Sequence, residues 1–129
     1  MNNIYTKSYL FIAGLVMALV GSYIALSTPE YFEVMNPLSK VPSTNMQSDL
    51  QGMGGMLLVL GLYALISIIH KAWRYSALTL ATAVYAIFIA FRTLSYILDG
   101  LPEMTIIIAY LIEVVLAVCG VFLLRKNEV

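Results

Sequence analysis

The sequence predicts an all-α integral membrane protein, a bundle of four transmembrane helices with both termini in the cytoplasm. Hydrophobic residues make up 61% of the 129 residues and charged residues only 11%, whereas a soluble domain usually carries about 25% charged residues. The apolar residues form long continuous runs, without the period-two alternation of membrane barrel strands. Lysine and arginine gather near alternate ends of these runs, which is the pattern that sets the orientation of membrane helices.

Composition also excludes several classes of protein. The formal net charge is zero, so the chain has no basic field with which to bind nucleic acid. Cys119 is the single cysteine and His70 the single histidine, so we predict no internal disulfide, no metal site and no cofactor. We interpret residues 1–129 as one membrane domain.

The first spanning helix is predicted over about residues 8–27, because the stretch between Lys7 and Glu30 carries no charge. A bilayer-spanning helix needs about 20 mostly apolar residues. A signal peptide is the alternative, since Ala25-Leu26-Ser27 is a small-x-small site. The apolar run before it is longer than the usual signal-peptide core of about 7–15 residues, so we favour an uncleaved helix.

The next segment is predicted to hold a short helix and the start of the second span. Thr28 is expected to cap the short helix, with Pro29 in its first turn and Tyr31, Phe32, Val34 and Met35 resting on the outer surface of the bilayer. Ser48 followed by Gln51 resembles a capping box. We therefore expect it to open the second spanning helix, over about residues 49–69.

The third and fourth spans are predicted over about residues 75–98 and 103–124, interrupted only by Arg92 and Glu113. Between them, Gly100 can take the left-handed conformation that ends a helix, and Pro102 suits the first turn of the next one. A connection this short makes the two helices antiparallel neighbours.

The placement of basic residues predicts the orientation. One side of the membrane carries Lys7, Lys71, Arg74, Arg125 and Lys126, and the other carries only Lys40. The positive-inside rule then places both termini in the cytoplasm.

Small residues recur at helical spacing and predict where helices pack closely. They are Gly14, Ala18, Gly21 and Ala25 in the first span, Gly52, Gly54, Gly55 and Gly61 in the second, and Ala109, Ala117 and Gly120 in the fourth. The glycine-rich start of the second span has a further interpretation, since it can admit either a ligand head group or a close backbone.

Arg92 and Glu113 are the most informative residues. A charge near the bilayer centre costs about 2.5–3.5 kcal/mol, so it normally faces the protein interior and a partner. Helical side chains lean toward the amino terminus of their own helix. On antiparallel neighbours this tilt brings Arg92 and Glu113 toward the same depth, and we predict an ion pair.

Further polar residues flank this pair toward the outer surface. We predict a ligand-binding pocket in the outer half of the bundle, lined by Arg92, Glu113, Asp99, Asp49, Tyr96 and Gln51. The alternative is an internal ion pair that fixes helix register and has no other role.

Three segments of the chain resemble a known family of membrane proteins. The run from Asp49 to Gly55, the segment Arg92-Thr93-Leu94-Ser95 leading to Asp99-Gly100-Leu101-Pro102, and Glu113 in the last helix resemble the bacterial membrane family called domain of unknown function 4345. The family pattern has glycine before the arginine, where this chain has Phe91. The resemblance implies a four-helix, multi-pass protein of the bacterial inner membrane without an assigned activity.

Two classes of function remain open from the sequence. The first is a non-enzymatic binding or accessory protein whose partners are membrane lipid, a small lipophilic or polar ligand, or further copies of the chain. The second is a small oligomeric or proton-coupled transporter in which Glu113 changes its protonation. An enzyme is less favoured, because the residues offer carboxylates but no activated nucleophile or metal.

Overall fold

The computed structural model describes residues 4–35, 43–102 and 104–127, which are almost entirely helical. Helix α1 covers Ile4–Leu26, α2 Thr28–Met35, α3 Thr44–Ser67, α4 Arg74–Asp99 and α5 Met104–Asn127, and a short 3-10 turn, Lys71–Trp73, precedes α4. Among the described residues, four helices are long and apolar enough to cross a membrane: α1, α3, α4 and α5. The all-helical class with four candidate spans is therefore confirmed, and the side on which the termini lie stays a prediction.

The start of α3 differs from the one that the sequence indicated. The helix begins at Thr44, and the hydroxyl of Ser43 accepts a hydrogen bond from the Met46 amide at 3.2 Å. The predicted capping box at Ser48 and Gln51 was therefore wrong, since both residues lie inside the helix. Serine can cap wherever its hydroxyl reaches an amide of the first turn, and the helix continues back to the earlier serine.

Helices α1 and α2 are nearly one helix with a bend at Ser27. The Ser27 amide donates to the Tyr23 carbonyl and the Tyr31 amide to the Ser27 carbonyl, both at 2.9 Å. Pro29 has no amide hydrogen to continue the helical ladder, and proline bends helices for this reason. The Thr28 hydroxyl donates to the Ile24 carbonyl at 2.6 Å instead of capping α2, so its predicted role was wrong.

Helices α1 and α3 pack through glycines. A Cβ added at Gly61 would lie 2.5 Å from the Ala18 amide nitrogen and 2.7 Å from the Gly14 carbonyl oxygen. One added at Gly54 would lie 2.8 Å from the carbonyl oxygen of Gly21. The two backbones are thus in direct contact, as the small residues predicted.

The two other glycines of α3 have a different environment. A Cβ at Gly52 or Gly55 would meet no atom of the described residues within 4 Å. At the glycine-rich start of α3, Gly54 therefore allows the close approach of another helix backbone. Gly52 and Gly55 make no such approach within the described residues.

A polar bridge joins the end of α3 to the start of α4. Arg74 is 5% exposed, and its Nε donates to the Ser67 carbonyl at 3.2 Å while Nη2 donates to the Ile68 carbonyl at 2.5 Å. These carbonyls lie at the carboxyl end of α3, where a cation is electrostatically favoured. We call this end of the bundle the Arg74 end and the opposite end, which carries α2, the α2 end.

The interior near the Arg74 end is filled. Leu10 and Leu78 are 0% exposed, and Ala13 and Ala81 at most 1%. The Tyr85 hydroxyl donates to the Ala13 carbonyl at 2.8 Å, which meets the need of a buried phenol for a partner. Helix α1 therefore forms the centre of this half.

Helices α4 and α5 are antiparallel neighbours joined by a tight turn, as predicted. Gly100 ends α4 with a φ of 91° and a ψ of 179°, a combination that only glycine adopts readily. The positive φ agrees with the predicted left-handed conformation of Gly100. The ψ of 179° differs from that of a left-handed helical residue and makes the backbone more extended.

Candidate functional site

An ion pair joins α4 to α5 within the bundle. Arg92 Nε donates to Glu113 Oε2 at 2.9 Å, with the arginine side chain 30% exposed and the glutamate 12%. The opposing tilts of side chains on antiparallel helices place the two groups at one depth. The predicted pairing is confirmed.

The pair forms part of the wall of a cavity at the α2 end, with a volume of about 450 Å³. All five helices contribute to its lining. Among the lining residues are Val16, Met17, Val20, Tyr23 and Ile24 of α1, Tyr31 and Met35 of α2, Met53 and Leu57 of α3, Tyr85, Phe88 and Arg92 of α4, and Ala109, Ile112 and Glu113 of α5. Apolar and aromatic side chains thus surround one ion pair, as in cavities that bind drug-sized molecules.

Two aromatic residues of the cavity lining interact with the charge of Arg92. Its Cζ lies 5.5 Å from the centroid of the Phe88 ring, within the range of a cation–π contact. Burial raises the pKa of the Tyr31 hydroxyl, while the positive charge of Arg92 partly offsets this rise. Tyr31 also packs edge-on against Tyr23, with ring centroids 5.8 Å apart.

Helix α2 therefore covers the cavity. The sequence predicted that its apolar residues rest on the bilayer surface, but Phe32 is 7% exposed and Tyr31 and Met35 line the cavity. Only Val34, 54% exposed, agrees with that expectation. The bend at Ser27 turns the apolar face of α2 toward the bundle.

The six residues predicted to bind a ligand do not come together. Asp49 and Gln51 are exposed on the first turns of α3, and Asp99 is exposed at the end of α4. Asp99 is two helical turns beyond Arg92, a rise of about 10 Å, and is not among the residues that line the cavity. Only Arg92 and Glu113 of the six line the cavity, and their role in binding stays a prediction.

Tyr96, the remaining predicted site residue, belongs to a smaller polar cluster between α4 and α5. Its ring packs against that of Tyr110, with centroids 5.2 Å apart. The Thr93 hydroxyl donates to the Ile89 carbonyl at 2.7 Å, so in its 3.0 Å contact with Tyr110 the phenol is the donor. The Tyr96 hydroxyl is buried without a hydrogen-bond partner among the described residues. This cluster adds polar contacts between the two helices that carry the ion pair.

Sequence reasoning missed the aromatic lining of the cavity. Phe88 lies one turn before Arg92, so helical spacing alone could have found it. Tyr23 and Tyr31 carried no such signal, because their approach depends on the bend between α1 and α2. Within the described ranges, no three His, Cys, Asp or Glu side chains are grouped so that they could hold a metal ion.

A comparison with known proteins identifies one matching family. The family model described as Domain of unknown function (DUF4345) matches residues 5–124, nearly the whole chain. No curated protein and no solved structure matches the chain significantly.

Proposed function

We propose that this chain, which belongs to the DUF4345 family, is a non-enzymatic membrane protein that binds a small lipophilic molecule in the cavity between its helices. The ligand occupies the cavity at the α2 end, with its polar group against Arg92 and Glu113 and its apolar part against α1 and α3.

The observation that carries this proposal is the combination of volume and lining. A cavity of about 450 Å³ lies within the usual range of small-molecule sites, about 300–1,000 Å³. Its walls are mainly apolar, and the two charged lining residues among those described, Arg92 and Glu113, lie together on the side formed by α4 and α5. An ion pair that only fixed helix register would need no cavity beside it.

The packing of the Arg74 end supports binding over transport, the second candidate. A carrier needs a path from its site to both surfaces. Here Leu10, Ala13, Leu78 and Ala81 fill the interior on the side of the cavity toward the Arg74 end. The transporter alternative would require these residues to separate.

The proposed location is the bacterial inner membrane, with both termini in the cytoplasm. The Arg74 end carries the basic residues Lys7, Lys71, Arg74, Arg125 and Lys126, and the positive-inside rule then assigns it to the cytoplasm. In this orientation the cavity lies in the outer half of the membrane, with α2 on the extracytoplasmic side.

The test is to fill the cavity and to measure what remains bound. Ala109 lines the cavity, whereas Val115 on the same helix is 60% exposed and serves as the matched control. In native mass spectrometry of protein purified from its membrane, we expect the wild type and Val115→Trp to carry the same bound small molecule and Ala109→Trp to have lost it. An unchanged bound mass in folded Ala109→Trp would contradict the proposal.

A further inference from the structure

The charge balance of the cavity narrows the class of ligand, and this step rests on the proposed function. Arg92 and Glu113 carry opposite charges and are joined at 2.9 Å, so the pair is neutral as a whole. Within the described ranges, the other residues that line the cavity are uncharged. A ligand with a net charge would therefore enter an apolar space without a counter-charge, which is costly.

The pair nevertheless keeps unused hydrogen-bonding capacity. A guanidinium has five N–H donors, and only Nε of Arg92 donates within the described part of the chain, to Oε2 of Glu113. The terminal nitrogens of Arg92 can still donate, and Oε1 of Glu113 can still accept. Tyr31 lines the same cavity, and its hydroxyl can serve as a further donor.

We infer that the ligand is an electrically neutral lipophile whose head group carries a carbonyl oxygen, as in an amide or an ester. The carbonyl accepts from the terminal nitrogens of Arg92, and an amide head also donates to Glu113. The hydrocarbon part packs against apolar residues such as Val20, Leu57 and Ile106. Carboxylates and ammonium ions with the same hydrocarbon chain are excluded because they unbalance the ion pair.

The experiment compares three probes that share a similar hydrocarbon chain and differ in the head group: decanamide, decanoate and decylammonium. Equilibrium binding of each labelled probe is measured on the full chain in lipid nanodiscs, and binding to the cavity-filled variant Ala109→Trp is subtracted as membrane background. We expect decanamide to bind the wild type more tightly than either charged probe, by roughly tenfold or more for an uncompensated charge.

Charge-altering variants make the test sharper. Glu113→Gln leaves the positive charge of Arg92 uncompensated, so the preferred probe should become decanoate. Arg92→Gln leaves the negative charge of Glu113, so the preferred probe should become decylammonium. The double variant, Arg92→Gln with Glu113→Gln, is neutral again and should retain the preference for decanamide, which keeps the test decisive if a single variant fails to fold.

The outcomes separate this inference from the proposed function. Tightest binding of decanoate or decylammonium by the wild type would overturn the neutral ligand class while leaving a binding function in place. If the wild type binds none of the probes above background and carries no small molecule after purification, the binding function fails and the inference with it.

Discussion

Arg92 shows how a charged residue is accommodated in a helix long and apolar enough to span a membrane. Placing a charge near the bilayer centre costs about 2.5–3.5 kcal/mol by insertion scales. Glu113 offsets this cost with a charge-assisted hydrogen bond of 2.9 Å. The Phe88 ring adds a cation–π contact, with its centroid 5.5 Å from Cζ of Arg92. Each charge therefore depends on the other, so removing both partners should cost less than the sum of the two single removals.

A double-mutant cycle tests this dependence. Arg92→Ala and Glu113→Ala should each lower the free energy of unfolding by about 3 kcal/mol, the lower end of the range for breaking a buried pair, because Arg92 is 30% exposed. The double variant should lose clearly less than the sum of the two. Unfolding in mixed detergent micelles measures these losses.

The matched control for the cycle is Lys71→Ala, since Lys71 is exposed at the Arg74 end. It should change the unfolding free energy by less than about 0.5 kcal/mol. Strictly additive losses from Arg92→Ala and Glu113→Ala would show that the two charges do not stabilise each other.

At the scale of helices, the contact between α1 and α3 depends on particular glycines. Gly14 and Gly61 face each other across this contact, and so do Gly21 and Gly54. Both pairs are seven residues apart along each helix, or two turns, so they lie on one face. At each of these positions a side chain would meet backbone atoms of the partner helix, which cannot move aside as a flexible side chain can.

Gly61→Ala tests this packing, because its Cβ would lie 2.5 Å from the Ala18 amide nitrogen. We expect it to lower the free energy of unfolding by roughly 1–3 kcal/mol, the usual cost of overpacking. Gly55→Ala is the matched control on the same helix, since a Cβ there has no neighbour within 4 Å in the part of the chain that the structure describes. The control should be neutral or slightly stabilising, and equal losses in both variants would contradict the predicted close contact.

At the scale of the whole molecule, two helix pairs, α1 with α3 and α4 with α5, surround the cavity. The described helices α3 and α5 do not pack against each other, and the cavity lies between them at the α2 end. Arg74 bridges α3 and α4 at the other end. Within the described ranges, the interior is packed at the Arg74 end and contains a cavity at the α2 end. The orientation of the protein therefore decides which side of the membrane the cavity faces.

Cysteine labelling tests the orientation. In a Cys119→Ser background, single cysteines replace Ser48 near the start of α3 and Ala72 in the 3-10 turn, both exposed. A membrane-impermeant maleimide should label Ser48→Cys on intact cells and Ala72→Cys only after permeabilisation. The reverse pattern would place the termini and the Arg74 end outside the cell.

The sequence by itself determined the four candidate spans, the Arg92–Glu113 pair and the turn at Gly100. These follow from local quantities: the length of an apolar run, the cost of an unpaired charge in lipid, and the conformational freedom of glycine. Each of these three features can be predicted from residues that are close together in the chain or that lie on adjacent antiparallel helices.

Only the tertiary structure decided which of the polar residues share a cavity. Tyr31 lines the cavity, whereas Asp99 and Asp49 are not among its lining residues. These outcomes depend on the direction of the bend at Ser27, on the rotation of each helix about its axis, and on the gap between the two helix pairs. Such quantities result from the packing of all five helices at once, so no local pattern in the sequence predicts them.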